Sequence, residues 1–159
     1  MPFVTSVVPD RRAVDERPTF VVDTNVFVAA VTSRDGVSAR RLLAARAGRC
    51  RVIVSPLLLD ELSTVLHRPK FRRYLSAADA SEFVKVIREL ARVMDDPPMD
   101  GTPITDDPDD DFSVALAEAV GADALVSGDP HLTTLQRAGV SVLTPRAALD
   151  IIDETHGAG

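Results

Sequence analysis

Four acidic residues could form one carboxylate cluster if the chain folds around them: Asp23, Glu61, Asp110 and Asp129. Asn25 lies two residues after the first, Asp111 directly follows the third, and Ser127 lies two before the last. Carboxylates are hard oxygen ligands, and such a set suits Mg²⁺ or Mn²⁺. An ion of this kind orients a water, lowers its pKa and neutralises charge developing on a phosphate. The three histidines, His67, His131 and His156, are scattered and lack zinc-ligand spacing. No Cys/His pair suggests a thiol nucleophile. The favoured chemistry is therefore direct attack of an activated water on a phosphodiester.

Each acid also has a plain structural explanation. Asp23 ends the run Thr19-Phe20-Val21-Val22, where a buried carboxylate is costly unless paired, hydrogen-bonded or bound to metal. A loop aspartate capping the next helix would look the same. Glu61 is more telling. On a helical wheel it falls between Leu57 and Val65, inside the apolar arc of Leu57, Leu58, Leu59, Leu62, Val65 and Leu66. A charge in a core-facing stripe is rarely there for solubility. Asp109, Asp110 and Asp111 open a helix, where acids compensate the dipole. Asp110 shares its helical row with Ser113 and Ala117, small residues that admit a neighbouring element. Asp111 shares its row with Ala115 and Glu118, a wetter side, so Asp110 is favoured and Asp111 is kept as a second ligand. Asp129 follows Ser127-Gly128 at a strand end and precedes Pro130, so it could cap the next helix.

The elements that would position these acids alternate in type. Thr19–Val22 reads as a central strand, apolar on both faces. The apolar run Val26–Val31 follows Asp23-Thr24-Asn25. Val37–Ala45 reads as a helix with arginines on one side, ended by Gly48. Arg51–Val54 is a second strand. Ser55 and Pro56 then open a helix that stops before Pro69. Phe71–Tyr74 forms a short helical turn, and Ser76 caps a helix over 77–90. Residues 91–94 form a third strand. The stretch 95–108, with four prolines, is a loop. A helix runs over 109–120, closed by Gly121. Residues 124–127 and 140–143 are the fourth and fifth strands. A helix over 132–138 separates them, and another follows Pro145. Strand–helix alternation argues for one α/β domain, a parallel sheet covered on both faces. The carboxyl ends of its strands are where such sheets bind ligands.

Composition narrows the class. The 159 residues allow one sizeable core. No run approaches the roughly 18 apolar residues of a membrane span, and the N-terminus is too short in its apolar part for a signal peptide. The lone Cys50 excludes an internal disulfide and fits a reducing cytoplasm. The net charge of −6 runs against a nucleic-acid partner, but its distribution is uneven. Asp95 to Asp111 holds eight acids and no bases, Arg34 to Arg51 holds six arginines, and Arg68, Lys70, Arg72 and Arg73 cluster. An acidic pocket near basic tracks suits a metal enzyme acting on a polyanion. The plain alternative is that these arginines lie on solvated helix faces.

The motifs Val22-Asp23-Thr24-Asn25-Val26, Ser55-Pro56 with Glu61-Leu62, Arg68-Pro69-Lys70-Phe71, Asp107-Pro108-Asp109-Asp110 and Ala122-Asp123-Ala124-Leu125-Val126-Ser127-Gly128-Asp129 stand in order along the chain. In this the sequence resembles the PIN-domain (PilT N-terminus-like) family, in particular the toxin-like ribonucleases of bacterial toxin–antitoxin systems. The resemblance covers about 19–152. It implies a three-layer α/β/α fold with a five-stranded parallel sheet and a Mg²⁺- or Mn²⁺-dependent endoribonuclease site. Asp23, Glu61, Asp110 and Asp129 would be its catalytic and metal-binding acids, with Asn25 and Ser127 supporting them. It also implies RNA as substrate, a homodimer and, in the toxin branch, an antitoxin. On this reading 1–18 is a weakly ordered extension, 19–152 the nuclease domain and 153–159 a tail.

Two other readings compete. A phosphatase could use Asp23 as nucleophile, but residue 25 is Asn rather than a second acid, and no lysine follows a late strand. A non-catalytic nucleic-acid or protein-binding module could keep the fold, its acids serving only as caps.

Overall fold

A computed structural model describes residues 17–33, 36–105, 108–135 and 139–157. Most of the expected N-terminal extension, Asp106, Asp107 and the end of the expected 132–138 helix lie outside the described residues. Five parallel strands form one sheet: β1 (Thr19–Val22), β2 (Arg51–Val54), β3 (Arg92–Val93), β4 (Ala124–Val126) and β5 (Val142–Leu143), in the order β3-β2-β1-β4-β5. β1 is central. Val21 is in register with Ile53 on one side and Leu125 on the other. The two edge strands are only two residues long, which limits the unpaired edge.

Strand periodicity explains why these runs are apolar throughout. Phe20, Val22, Val52, Val54, Ala124 and Val126 point into one core. Val21, Ile53 and Leu125 point into the other. Both faces are buried, as a central parallel strand requires.

The larger core is roofed by α1 (Thr24–Thr32), α2 (Val37–Arg46), α3 (Pro56–Leu66), α4 (Ala77–Leu90) and α7 (Pro145–Gly157). The smaller is covered by α5 (Pro108–Val120) and the single turn α6 (Pro130–Thr133). The sheet thus lies between two helical layers. Among the described residues no helix is long and apolar enough to cross a membrane.

Local signals set the helix ends. Ser55 Oγ accepts from the Leu58 amide at 3.2 Å with Pro56 in the first position, and Ser76 Oγ accepts from the Asp79 amide at 3.0 Å. Gly121, at φ 63°, lets the Ala122 amide turn back to the Ala117 carbonyl and close α5. The run Val26–Val31 is helical, part of α1, although three of its six residues are β-branched. Burial of Thr24, Val26, Phe27 and Ala30 against the sheet outweighs their weak helix propensity.

One arginine departs from the solvated-face reading. Arg41 of α2 is 0% exposed, its guanidinium 4.9 Å from the centre of the Phe20 ring. Burial lowers its pKa to about 10. Its side-chain nitrogens have no hydrogen-bond partner among the described residues.

Candidate active site

The strand order places the switch point between β1 and β4, since the chain builds outward from β1 to β3 and then returns to add β4 and β5 on the other side. Open α/β sheets bind ligands at that crevice, beyond the carboxyl ends of the strands. Asp23 and Ser127 are the first residues past the paired ends Val22 and Val126. The Asp23 amide continues the ladder, donating to the Val126 carbonyl at 2.9 Å.

Asp23 occupies the N-cap position of α1, yet its side chain makes no cap hydrogen bond. It is 4% exposed, and Ser127 Oγ donates to its Oδ2 at 3.0 Å. The carboxylate is therefore held across the β1–β4 gap, at the positive end of the α1 dipole. Ser127, itself buried, also accepts from the Asp129 amide at 3.0 Å. One hydroxyl thus ties both strand-end acids together. Asp129 Oδ1 accepts from the His131 amide at 2.9 Å. Asp129 thus caps α6 and lies past the end of β4, at the same end of the sheet as Asp23.

Glu61 comes from the other side. It is half-buried on α3, and its Oε2 accepts from Thr24 Oγ1 at 3.2 Å. Leu58, Leu59, Leu62 and Leu66 form the buried stripe of α3, whereas Leu57 is exposed. Glu61 therefore stands at the margin of that stripe rather than inside it, where α3 meets α1. The helical wheel alone could not show this, because it does not say which part of a broad arc the sheet covers. Thr24 was not among the expected site residues. The signal was a hydroxyl directly after the strand-end acid, but its partner is 37 positions away.

α5 brings the third acid. It ends at Gly121, just before Asp123, whose Oδ2 accepts from the Thr19 amide at the amino end of β1 at 2.7 Å. Thirteen helical residues span about 20 Å, so the first turn of α5 lies at the opposite, carboxyl end of the sheet. Asp110 is half-buried there, in the row of the buried Ser113 and Ala117. Asp111 is not on a wet side: it is 6% exposed. Its Oδ1 accepts from the Thr105 amide at 2.7 Å and the Thr105 hydroxyl at 2.6 Å, and its Oδ2 from the Ile104 amide at 3.2 Å. The preceding loop folds over the helix start and buries a face that the helix alone would leave to solvent. Asn25 is exposed on the first turn of α1.

Among the described residues no three acidic, histidine or cysteine side chains already form a metal cage. The fit to a metal is one of donor chemistry and position. Ser127 bonds the Asp23 carboxylate and the Asp129 backbone amide, Thr24 bonds the Glu61 carboxylate, and all the candidate donors are hard oxygens that suit Mg²⁺ or Mn²⁺.

Comparison with known proteins identifies the class. The PIN-domain family profile matches residues 19–131, and the chain belongs to the PIN-domain family, whose members are nucleases. Solved structures share the fold at low identity. VapBC2 from Rickettsia felis bound to a DNA fragment from their promoter is 14% identical, with a TM-score of 0.57, covering 79% of this chain and 98% of that one. DNA-bound VapBC from Salmonella typhimurium is 17% identical, with a TM-score of 0.59, over 80% and 98%. PAE2754 from Pyrobaculum aerophilum is 19% identical, with a TM-score of 0.59, over 86% and 90%. No curated protein matches the chain.

Proposed function

We propose that this protein is a Mg²⁺- or Mn²⁺-dependent endoribonuclease and the toxin of a toxin–antitoxin pair. The observation that carries the reading is the buried Asp23 carboxylate at the switch point, held by Ser127 in the crevice rather than capping its own helix. Membership of a nuclease family supports the reaction class. Fold similarity to the two VapBC complexes supports an antitoxin partner. The lone buried Cys50 agrees with a reducing cytoplasm.

Asp23, Glu61, Asp110 and Asp129 would hold the metal. A bound divalent ion supplies an activated water and neutralises charge developing on the phosphate. Ser127 fixes the rotamer of Asp23, and Thr24 fixes that of Glu61. Preset carboxylates need no reorganisation during reaction, which is where electrostatic catalysis gains most. Asn25, exposed two residues after Asp23, would meet the phosphate backbone.

The test offers the native protein single-stranded RNA, single-stranded DNA and a small phosphomonoester, with Mg²⁺, with Mn²⁺ and with chelator. The reading predicts internal cleavage of RNA only, abolished by chelator. Turnover of the phosphomonoester alone would favour Asp23 as a phosphatase nucleophile. No turnover of any substrate would leave a binding module, a reading that the capping role of Asp129 and the loop-closing role of Asp111 favour.

A further inference from the structure

We propose that the turn after α3, residues 68–74, is an RNA-holding surface. Arg68, Lys70 and Arg73 would meet backbone phosphates, and Tyr74 would stack on an unpaired base. This rests on the ribonuclease reading and extends it to substrate contacts away from the acids.

Charge makes the first case. In a chain of net charge −6, no acid occurs between Glu61 and Asp79, while Arg68, Lys70, Arg72 and Arg73 all fall within that interval. Arg68, Lys70 and Arg73 are exposed, and among the described residues none of them has an ion-pair partner. Helix-dipole compensation at the end of α3 accounts for one cation near the last turn. It does not account for Lys70 and Arg73, which lie beyond it. Arg72 is the structural member of the group, since its guanidinium donates to the Leu66 carbonyl and closes α3.

The aromatic makes the second case. Tyr74 is 45% exposed, with the Arg73 guanidinium 4.9 Å from its ring centre and an Arg73 nitrogen donating to its hydroxyl at 2.9 Å. A cation beside a solvent-facing ring is the pattern by which single strands are bound without sequence readout.

The turn is also rigid. Phe71 is buried beneath it. The amides of Phe71, Arg72, Tyr74 and Leu75 all donate within it. His67 Nδ1 and Nε2 bond Ser63 and Ser81, tying α3 to α4. A preformed surface loses little entropy on binding. Arg68 stands seven positions after Glu61 and two past the end of α3 at Leu66, so a single strand several nucleotides long would span the two.

Binding of a fluorescent single-stranded RNA is measured with the cleavage-deficient Asp23→Asn protein, alone and with added turn substitutions. Adding Lys70→Ala and Arg73→Ala together should weaken Kd at least about tenfold. It should also flatten the slope of log Kd against log salt by about 1.4, as expected for two lost phosphate contacts on a single strand. Adding Tyr74→Ala should weaken binding about tenfold with the slope unchanged, while Tyr74→Phe keeps the affinity. Matched melting temperatures confirm folding, and Lys70→Gln with Arg73→Gln replaces any alanine variant that fails to fold. RNA binding that none of these changes weakens overturns the proposal and leaves the nuclease reading standing. Failure of the Asp23→Asn protein to bind RNA at all overturns both. Loss of affinity for a polyglutamate peptide but not for RNA makes the turn a protein-docking surface and also overturns it.

Discussion

Ser127 Oγ donates to Asp23 Oδ2 at 3.0 Å, joining residues 104 positions apart across the two strands that flank the switch point. The same oxygen accepts from the Asp129 amide. Ser127→Ala removes a donor to a buried carboxylate and an acceptor for a main-chain amide. Each buried group left unsatisfied costs about 1–3 kcal/mol. The variant should melt several degrees lower and cleave RNA at least tenfold more slowly, read by thermal unfolding and single-turnover cleavage.

The Thr24–Glu61 contact separates orientation from bulk. Thr24→Val keeps the shape and removes the hydroxyl that points at Glu61 Oε2. Thr24→Ser keeps the hydroxyl. The valine variant should lose about tenfold in single-turnover rate, the size of a hydrogen bond to a charged group. The serine variant should stay within about threefold of native. Equal rates in the two would remove Thr24 from the account.

Asp110 and Asp111 are adjacent but should fail differently. Asp111→Asn loses acceptor capacity for Thr105 and Ile104 in a buried place, so stability should fall by about 1–3 kcal/mol. Asp110→Asn, at a half-buried rather than buried position, should cost less stability and abolish cleavage. Denaturant unfolding and cleavage assays on both proteins decide the assignment.

Arg41 gives a stability prediction with a pH dependence. Its folded pKa is about 10, below the ordinary guanidinium range, because burial disfavours the charged form. The folded state therefore binds this proton less readily than the unfolded state. The resulting cost, about 3 kcal/mol for such a shift, is fully present below pH 10 and fades as pH rises above about 10 toward the ordinary guanidinium range. Arg41→Met removes the buried charge and should raise stability by about 1–3 kcal/mol at pH 7. That gain should narrow as pH is raised past 10. A loss above about 2 kcal/mol at pH 7 would contradict it.

The fold was largely legible because its signals are local. Thr19–Val22 and Arg51–Val54 are apolar runs of strand length, and Ser55-Pro56 and Ser76 mark helix starts that the side chains occupy as caps. α1 was harder, since the β-branched residues of Val26–Val31 favour a strand and packing against the sheet makes the run helical. Asp23 and Ser127 were readable as strand-end residues. Their bond was not, because it depends on β1 and β4 being neighbours. The burial of Asp111 depends on a loop folding over the helix, and that of Arg41 on α2 lying against Phe20. These are tertiary facts that periodicity does not carry.

On the proposed function, the acids around Asp23 carry the cleavage of RNA. Cleavage of single-stranded RNA with Mn²⁺ by the native protein, Asp23→Asn and Glu61→Gln tests it most directly, with circular dichroism confirming that all three are folded. The native protein should cut, and both variants should lose at least about a thousandfold, on the order of 4 kcal/mol of transition-state stabilisation. Native-like cleavage by folded Asp23→Asn would contradict it.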